Sequence, residues 1–294
     1  MRAGAAARLA ADVASRGNHL TTGFLGTPYL CHMLSSHGQL DTAYTLLNQD
    51  NYPSWLYPVK KGATTIWERW DDIKPDGSFQ SPAMNSFNHY AYGSIGEWMY
   101  RVVAGIDLDP EQPGFKHAII APQPGGGLTW VSAHLVTPYG LLRSRWEARG
   151  DHLDVTVRIP GNSRATVRLP AARLDEVREN GTTLARAAGI SSSRQDGPEV
   201  VLELAAGEYR FTYPSPELVA KLRRGPTFSL ADPLHAVLAN PATRKVLRVR
   251  APALLTASES YLVWRLSALA DARPELIPPS ARDPLEAALR QVSK

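Results

Sequence analysis

Residues 62–99 read GATTIWERWDDIKPDGSFQSPAMNSFNHYAYGSIGEWM, and the chain is organised around their centre, Ile66-Trp67-Glu68-Arg69-Trp70. A carboxylate stands there between two indoles, each with a large apolar face and one N–H donor. Flanking apolar rings raise a carboxylate's pKa, whereas a neighbouring guanidinium holds it ionised. Asn85, Asn88, His89 and Tyr90 follow, short polar groups of the kind that grip hydroxyls. Aromatic platforms, acids and amides together compose a sugar-binding cleft. A buried Glu68–Arg69 pair in a Trp-rich core would give the same pentapeptide, because structural ion pairs also gather such residues.

Flanking segments supply context. His19-Leu20-Thr21-Thr22-Gly23-Phe24-Leu25-Gly26-Thr27 and Tyr52-Pro53-Ser54-Trp55-Leu56-Tyr57-Pro58 precede the centre, and Asn85-Ser86-Phe87-Asn88-His89-Tyr90-Ala91-Tyr92-Gly93-Ser94 follows it. Further on stand Thr137-Pro138-Tyr139-Gly140 and Trp146. In this order the pieces resemble bacterial α-L-rhamnosidases, over about residues 5–213. The resemblance implies the C-terminal part of an (α/α) six-hairpin barrel, then an antiparallel β-sandwich, with a small helical tail beyond. It implies an inverting glycosidase removing terminal α-L-rhamnose, with Glu68 as general base and His89 contacting the sugar. Trp67, Trp70 and Asn88 complete the expected substrate contacts, and Trp67, Glu68, Trp70 and His89 are expected to line one concave surface. No cofactor or metal is expected, and the partner is a rhamnose-containing glycoside or polysaccharide. In the family the general acid lies upstream, in a segment with an Asp, a Glu-Arg pair and a Gly-Trp that this sequence lacks. Asp71 and Asp72 are too close to Glu68 for that role, and Glu97 falls within a helix. The chain therefore reads as a fragment without its acid, whose true N-terminus and compartment the sequence leaves open. A non-catalytic carbohydrate-binding or structural protein, and a barrel glycosidase of other sugar specificity, stay open beside it.

Periodicity divides the chain into three regions. The 294 residues allow two domains or more. Residues 3–16 are Ala-rich with Leu9 and Val13 one turn apart, a helix stopping before Gly17. Tyr29, Leu30, Met33 and Leu34, then Leu40, Ala43, Leu46 and Leu47, read as a helical hairpin over 27–37 and 40–48. Tyr52–Pro58 reads as extended, Pro75-Asp76-Gly77 as a turn, and 91–106 as an amphipathic helix bearing Ile95, Met99, Val102, Val103 and Ile106. At Asp109-Pro110 the apolar period drops from 3.6 to 2, as in Leu153, Val155, Val157 and Ile159. Arg149-Gly150-Asp151 and Asn180-Gly181 sit where hairpin turns belong. From Pro214 short helices return, with Asp232-Pro233 and Asp283-Pro284 as cap-and-first-turn pairs. The expected domains are thus 1–108, 109–214 and 215–294.

Composition excludes several classes. Charged residues make up 20% and net charge is +4, with Lys and Arg scattered, so no nucleic-acid partner is expected. No apolar run reaches the roughly 18–20 residues of a membrane span, and the N-terminus lacks a signal peptide's apolar core. Cys31 is alone, so no internal disulfide forms. Barrel hairpins without all their neighbours would expose apolar faces, and a homo-oligomer is the expected consequence.

Overall fold

The structure is a computed structural model that describes residues 2–224, 228, 230, 232, 234–262, 264 and 266–292. Helix α1 (Arg2–Ser15) ends as its composition dictates, with Gly17 and Asn18 both at positive φ and Asn18 N–H closing on the Val13 carbonyl. Helices α2 (Thr27–Ser35) and α3 (Leu40–Leu47) form the hairpin, turned by Gly38 at φ +78°. Leu30, Leu34, Ala43, Tyr44 and Leu46 face inward and join Val13, Leu20, Trp55, Trp98 and Val103 in one core. Tyr29 and Met33 point outward instead, Tyr29 being 69% exposed.

Residues 52–58 are not all extended. Helix α4 (Leu56–Lys60) begins within them, because Ser54 Oγ accepts from Tyr57 N–H at 3.1 Å and caps a first turn. Pro58 fits at the third helical position, where no N–H partner is required.

The helix expected over 91–106 changes pitch twice and stops early. It runs as a 3₁₀ turn (Ala91–Ser94), an α turn, α5 (Ile95–Trp98), and a π turn (Met99–Val103). Ile106 already lies in strand β1 (Ile106–Leu108), ahead of the switch that periodicity places at Asp109. Gly105 ends the helix at φ +79°, and a Cβ there would sit 2.2 Å from Pro122 N, so only glycine lets the two backbones meet.

Two sheets follow. One orders β1, β2 (His117–Ile120), β6 (Arg164–Leu169), β10 (Glu199–Leu204) and β9 (Ile190–Asp196). The other orders β3 (Trp130–Thr137), β4 (Gly140–Arg149), β5 (His152–Ile159), β11 (Gly207–Pro214), β7 (Arg178–Glu179) and β8 (Thr182–Thr183). Asn180 and Gly181 both take positive φ between β7 and β8, the primed turn that Asn-Gly signals. Trp146, Leu153, Val155, Val167, Leu202 and Phe211 fill the space between the sheets. One pairing departs from the antiparallel expectation: β2 and β6 are parallel, Ile120 opposite Val167. Strands β3–β5 of the opposite sheet intervene between them in sequence, supplying the long crossover that a parallel pair needs.

Beyond residue 214, α6 (Pro216–Arg224) packs Leu222 into the sandwich core, not the tail. Helices α7 (Leu234–Ala239), α8 (Pro241–Arg250), α9 (Leu266–Ala272) and α10 (Pro279–Leu289) share a separate core of Leu234, Leu247, Leu254, Leu269 and Leu285. Asp283-Pro284 does not start a helix; Pro284 lies inside α10, which begins at Pro279. Buried Leu285 and Leu289 hold that helix through packing, which outweighs the hydrogen bond Pro284 cannot make. The Asn-Pro pair that does cap is Asn240-Pro241, whose Asn240 Oδ1 accepts from Ala242 and Thr243 N–H. Of the Asp232-Pro233 pair, Pro233 lies outside the described residues.

Helical region and sandwich are joined by side chains that close the end of the 91–103 helix. Trp146 Nε1–H donates to the Val103 carbonyl at 2.8 Å, and Ser144 Oγ–H to Ala104 O at 2.6 Å. Replacing Trp146 by Phe keeps most of the buried ring but orphans Val103 O. The expected cost is about 1–3 kcal/mol in urea unfolding; an unchanged midpoint would mean the junction does not depend on this bond.

Candidate active site

The segment 62–90 has little regular structure, and hydrogen bonds between its two limbs shape it. Glu68 N–H donates to Ser86 O at 2.9 Å and His89 N–H to Ile66 O at 2.8 Å. Thr65 Oγ1 adds a bond to the Phe87 carbonyl. This short ladder lays the Asn85–His89 limb beside the Ile66–Glu68 limb. A bridge between Ile73 and Phe79 closes the intervening loop around Gly77 at φ +85°.

Glu68 is half-buried, and among the described residues its carboxylate has no hydrogen bond or ion pair. Arg69, the neighbour that would have neutralised it, sends Nη1–H to Gln80 Oε1 at 2.7 Å. The Glu68–Arg69 pair allowed by the sequence does not form.

Asp72 is the loop's buried anchor. Its Oδ2 accepts from Arg69 N–H at 3.2 Å, while its main-chain carbonyl accepts from Gln80 N–H and Asn85 Nδ2–H. Its Oδ1 and Asn85 Oδ1 are both buried without a partner. Burial raises the Asp72 pKa, and the nearby Glu68 carboxylate adds to this. Backbone N–H donors from Arg69 and Glu68 oppose it.

Aromatic rings link the remaining site residues. His89 stacks on Phe24 with centroids 4.8 Å apart; Phe24 leans on Tyr92, and Tyr92 stacks on Trp70 at 3.7 Å. Trp70 also meets Trp55 edge-on, and Trp55 Nε1–H donates to Tyr92 O. Ala91 N–H approaches His89 Nδ1 at 3.4 Å, which assigns the neutral ring's proton to Nε2. Trp67 is only 4% exposed and packs edge-on against Phe87, whereas Asn88 is exposed.

These placements modify the expected cleft. Trp67 and Trp70, with Trp55, Arg69 and Tyr92, line a cavity of about 40 Å³ that neither Glu68 nor His89 enters. It has room for water, not for a sugar ring. Trp67 is thus a packing group and Trp70 shares one face with Tyr92, while Glu68 and His89 are half-buried and Asn88 is exposed. The sequence reading missed Phe24, the stacking partner of His89, although it sits in the His19–Thr27 stretch. It also treated Asp72 only as a rejected acid. A larger groove, about 540 Å³, runs between α2, the 91–103 helix and β1–β2, lined by Tyr29, Met33 and Arg101.

Comparison with known proteins places these segments. Residues 1–103 match the model of the bacterial alpha-L-rhamnosidase 6 hairpin glycosidase domain, and residues 105–183 that of the bacterial alpha-L-rhamnosidase C-terminal domain. An alpha-L-rhamnosidase of Streptomyces avermitilis is 46% identical over 212 residues, 72% of this chain and 20% of the relative. One from Formosa agariphila is 39% identical over 204 residues, 69% of this chain and 22% of the relative. The crystal structure of Streptomyces avermitilis alpha-L-rhamnosidase complexed with L-rhamnose superposes with a TM-score of 0.65 at 44% identity. It covers 71% of this chain, which in turn spans 19% of that one. The chain spans about a fifth of the length of the curated relatives it matches.

Asp72 yields a pH test. A carboxyl whose folded pKa is raised binds its proton more tightly folded than unfolded. Its contribution to stability is therefore present below its ordinary value, about 4, and is lost as pH climbs through the raised value. Asp72→Asn keeps an acceptor for Arg69 N–H but carries no charge. Melting curves from pH 4 to 8 should show the variant gaining on the parent as pH rises; a constant difference would place no titration at Asp72.

Proposed function

Over residues 1–103 and 105–183 the chain belongs to the bacterial α-L-rhamnosidase family, and from that premise we propose that Glu68 is the general base of an inverting glycosidase that releases terminal α-L-rhamnose. The carrying observation lies within one loop: Arg69 and Asp72 Oδ2 are tied to the protein, and the Glu68 carboxylate is left free on a residue whose N–H is anchored to Ser86 O; Asp71 is also unpaired but lies off that ladder. A base must keep its lone pairs for water, and a carboxylate already saturated by an arginine would not.

In this mechanism Glu68 takes a proton from a water held on the face of the sugar opposite the leaving oxygen. The water's oxygen bonds to the anomeric carbon as the glycosidic bond breaks, and a carboxylic acid protonates the departing oxygen. Base and acid stand about 6.5–9.5 Å apart to admit the water. The acid belongs to a part of the glycosidase domain outside the matched stretch. His89, through Nε2–H, and Asn88 bind sugar hydroxyls. Trp67 and Trp70 act from behind, forming the apolar wall that keeps the loop in shape, with Trp70 setting the Phe24–His89 stack through Tyr92. Functionally we divide the chain into residues 1–108, which carry this half of the site, a sandwich over 109–214 and a helical module over 215–294, with β1 and α6 packing on the sandwich across those two boundaries. No cofactor enters the scheme.

A fusion tests it: the part of the Streptomyces avermitilis relative that precedes its matched stretch, joined to this chain. On an aryl α-L-rhamnoside the fusion should turn over, and NMR should show the inverted anomer formed first. Glu68→Gln should lower kcat by about 10²–10⁴-fold with rhamnose affinity nearly unchanged, because the amide keeps the shape but cannot accept the proton. His89→Ala should raise KM more than it lowers kcat. Retained kcat in a Glu68→Gln fusion with a depressed melting point would make Glu68 a structural group and favour a non-catalytic, carbohydrate-binding reading.

A further inference from the structure

The outer face of the six-stranded sheet carries a second polar cavity, remote in sequence from Glu68. It measures about 200 Å³ and is lined by Arg145, Glu147, Arg149, Asp154, Thr156 and Arg210. Strand register builds it: on β4 the outward positions alternate as Arg145, Glu147 and Arg149, with Arg145 opposite Thr156 and Glu147 opposite Asp154 on β5. Arg210 projects from β11, opposite Thr156.

Among the described residues, three of the four carboxylate oxygens in this cavity are engaged by the protein, and donors are left over. Glu147 Oε2 accepts from Arg145 at 2.7 Å and from Arg149 at 2.8 Å. Asp154, nearly buried, accepts from Arg210 Nη2–H at 2.8 Å and from Thr212 Oγ1–H at 2.8 Å, with Arg149 Nε 3.6 Å away. Each guanidinium has five N–H donors, and these contacts use one or two apiece. Three guanidiniums face two carboxylates, so one positive charge remains. The carboxylates hold the arginine forks in place, which reduces the ordering cost of binding. Arg149 and Arg210 stay more than half exposed.

An apolar platform adjoins the donors. Trp130, on edge strand β3, pairs across the ladder with Glu147, and Arg145 lies over its ring at 5.5 Å. Its indole is 57% exposed. Exposed indole faces receive the C–H face of a pyranose, and free guanidinium forks match a carboxylate in bidentate fashion. The volume is below the usual range for drug-sized ligands, so it accommodates one sugar unit at a time.

We infer that Trp130, Arg145, Arg149 and Arg210 form a non-catalytic binding site for a carboxylate-bearing sugar, a uronate unit of an acidic glycan. The site needs no turnover and stands apart from the Glu68 assignment. It would hold an acidic polysaccharide against the sandwich, whatever the barrel does to it.

Calorimetry on the full chain with trigalacturonic acid, its methyl ester and neutral maltotriose tests the inference. The acid should bind saturably, at least about tenfold tighter than the methyl ester, and weaken as salt rises through 0.15 M. Arg145→Gln should weaken it about tenfold or more, since hydrogen bonds to charged groups are the strong ones. Trp130→Ala should weaken acid and ester alike. Neither change touches buried Asp154, and circular dichroism of both variants should match the parent. Equal binding of acid and ester, parent-like binding by Arg145→Gln, or no saturation by about 10 mM would each overturn the site and leave a solvated ion-pair network.

Discussion

The carbonyls at the end of the 91–103 helix constrain everything around them. A helix leaves its last carbonyls without internal partners, and here they end inside the molecule, where water cannot serve. Trp146 and Ser144, on one face of β4, supply the donors for Val103 and Ala104. Gln123 N–H takes the Val102 carbonyl, and Ala121 N–H that of Gly105. Tyr44 extends the seam from the other side, its hydroxyl donating to Gln123 O at 2.6 Å while its ring lies where any Cβ at Gly125 would fall. The helical region and the sandwich are therefore bound by buried polar groups that find partners only in each other. Leu128 and Val131 contribute apolar surface to both cores along the same seam.

This seam bears on the site through Trp98. Its indole N–H reaches Ser35 Oγ on α2, and its ring meets Tyr44 edge-on. The 91–103 helix is thus held at one end by the sandwich and along its length by the α2–α3 hairpin. Tyr92, in its first turn, carries the Trp70 and Phe24 stacks that fix the His89 ring. A loop as irregular as 62–90 gains its definition from these supports.

Much of this was readable in residues. The Ala-rich first helix, the 27–48 hairpin and the Asn180-Gly181 turn follow from local chemistry, and alternation along 153–159 pointed to the sandwich strands. Motif order carried the family. What failed did so for tertiary reasons. Pro58 read as the end of an extended stretch and Pro284 as the first residue of a helix, but both sit within helices, one at a position needing no donor and one held by buried leucines. Ile106 kept helical spacing with Val102 and Val103, yet the close approach of Gly105 to Pro122 had already turned the chain. The parallel β2–β6 pair has no signature in either strand, because each residue depends on a partner 47 positions away. At the site, Trp67 and Trp70 were expected to share one concave surface with Glu68 because they lie beside it in sequence. Burial separates them.

That separation changes how the Trp-Glu-Arg-Trp cluster works. Two indoles flanking a carboxylate suggest rings gripping a sugar, but Trp67 has little surface to offer, and Trp70 spends one face on Tyr92. Their effect on Glu68 runs through the backbone. With Trp67 locked against Phe87 and Trp70 against Trp55 and Tyr92, the intervening Glu68-Arg69 can place only its side chains outward or sideways. Arg69 is drawn sideways to Gln80 and its N–H to Asp72, which leaves the Glu68 carboxylate, like that of Asp71, without a hydrogen bond among the described residues. Glu68, held by this packing and by its N–H bond to Ser86 O, should keep its position through changes at exposed Asn88 and lose it with changes at buried Trp67 or Asp72.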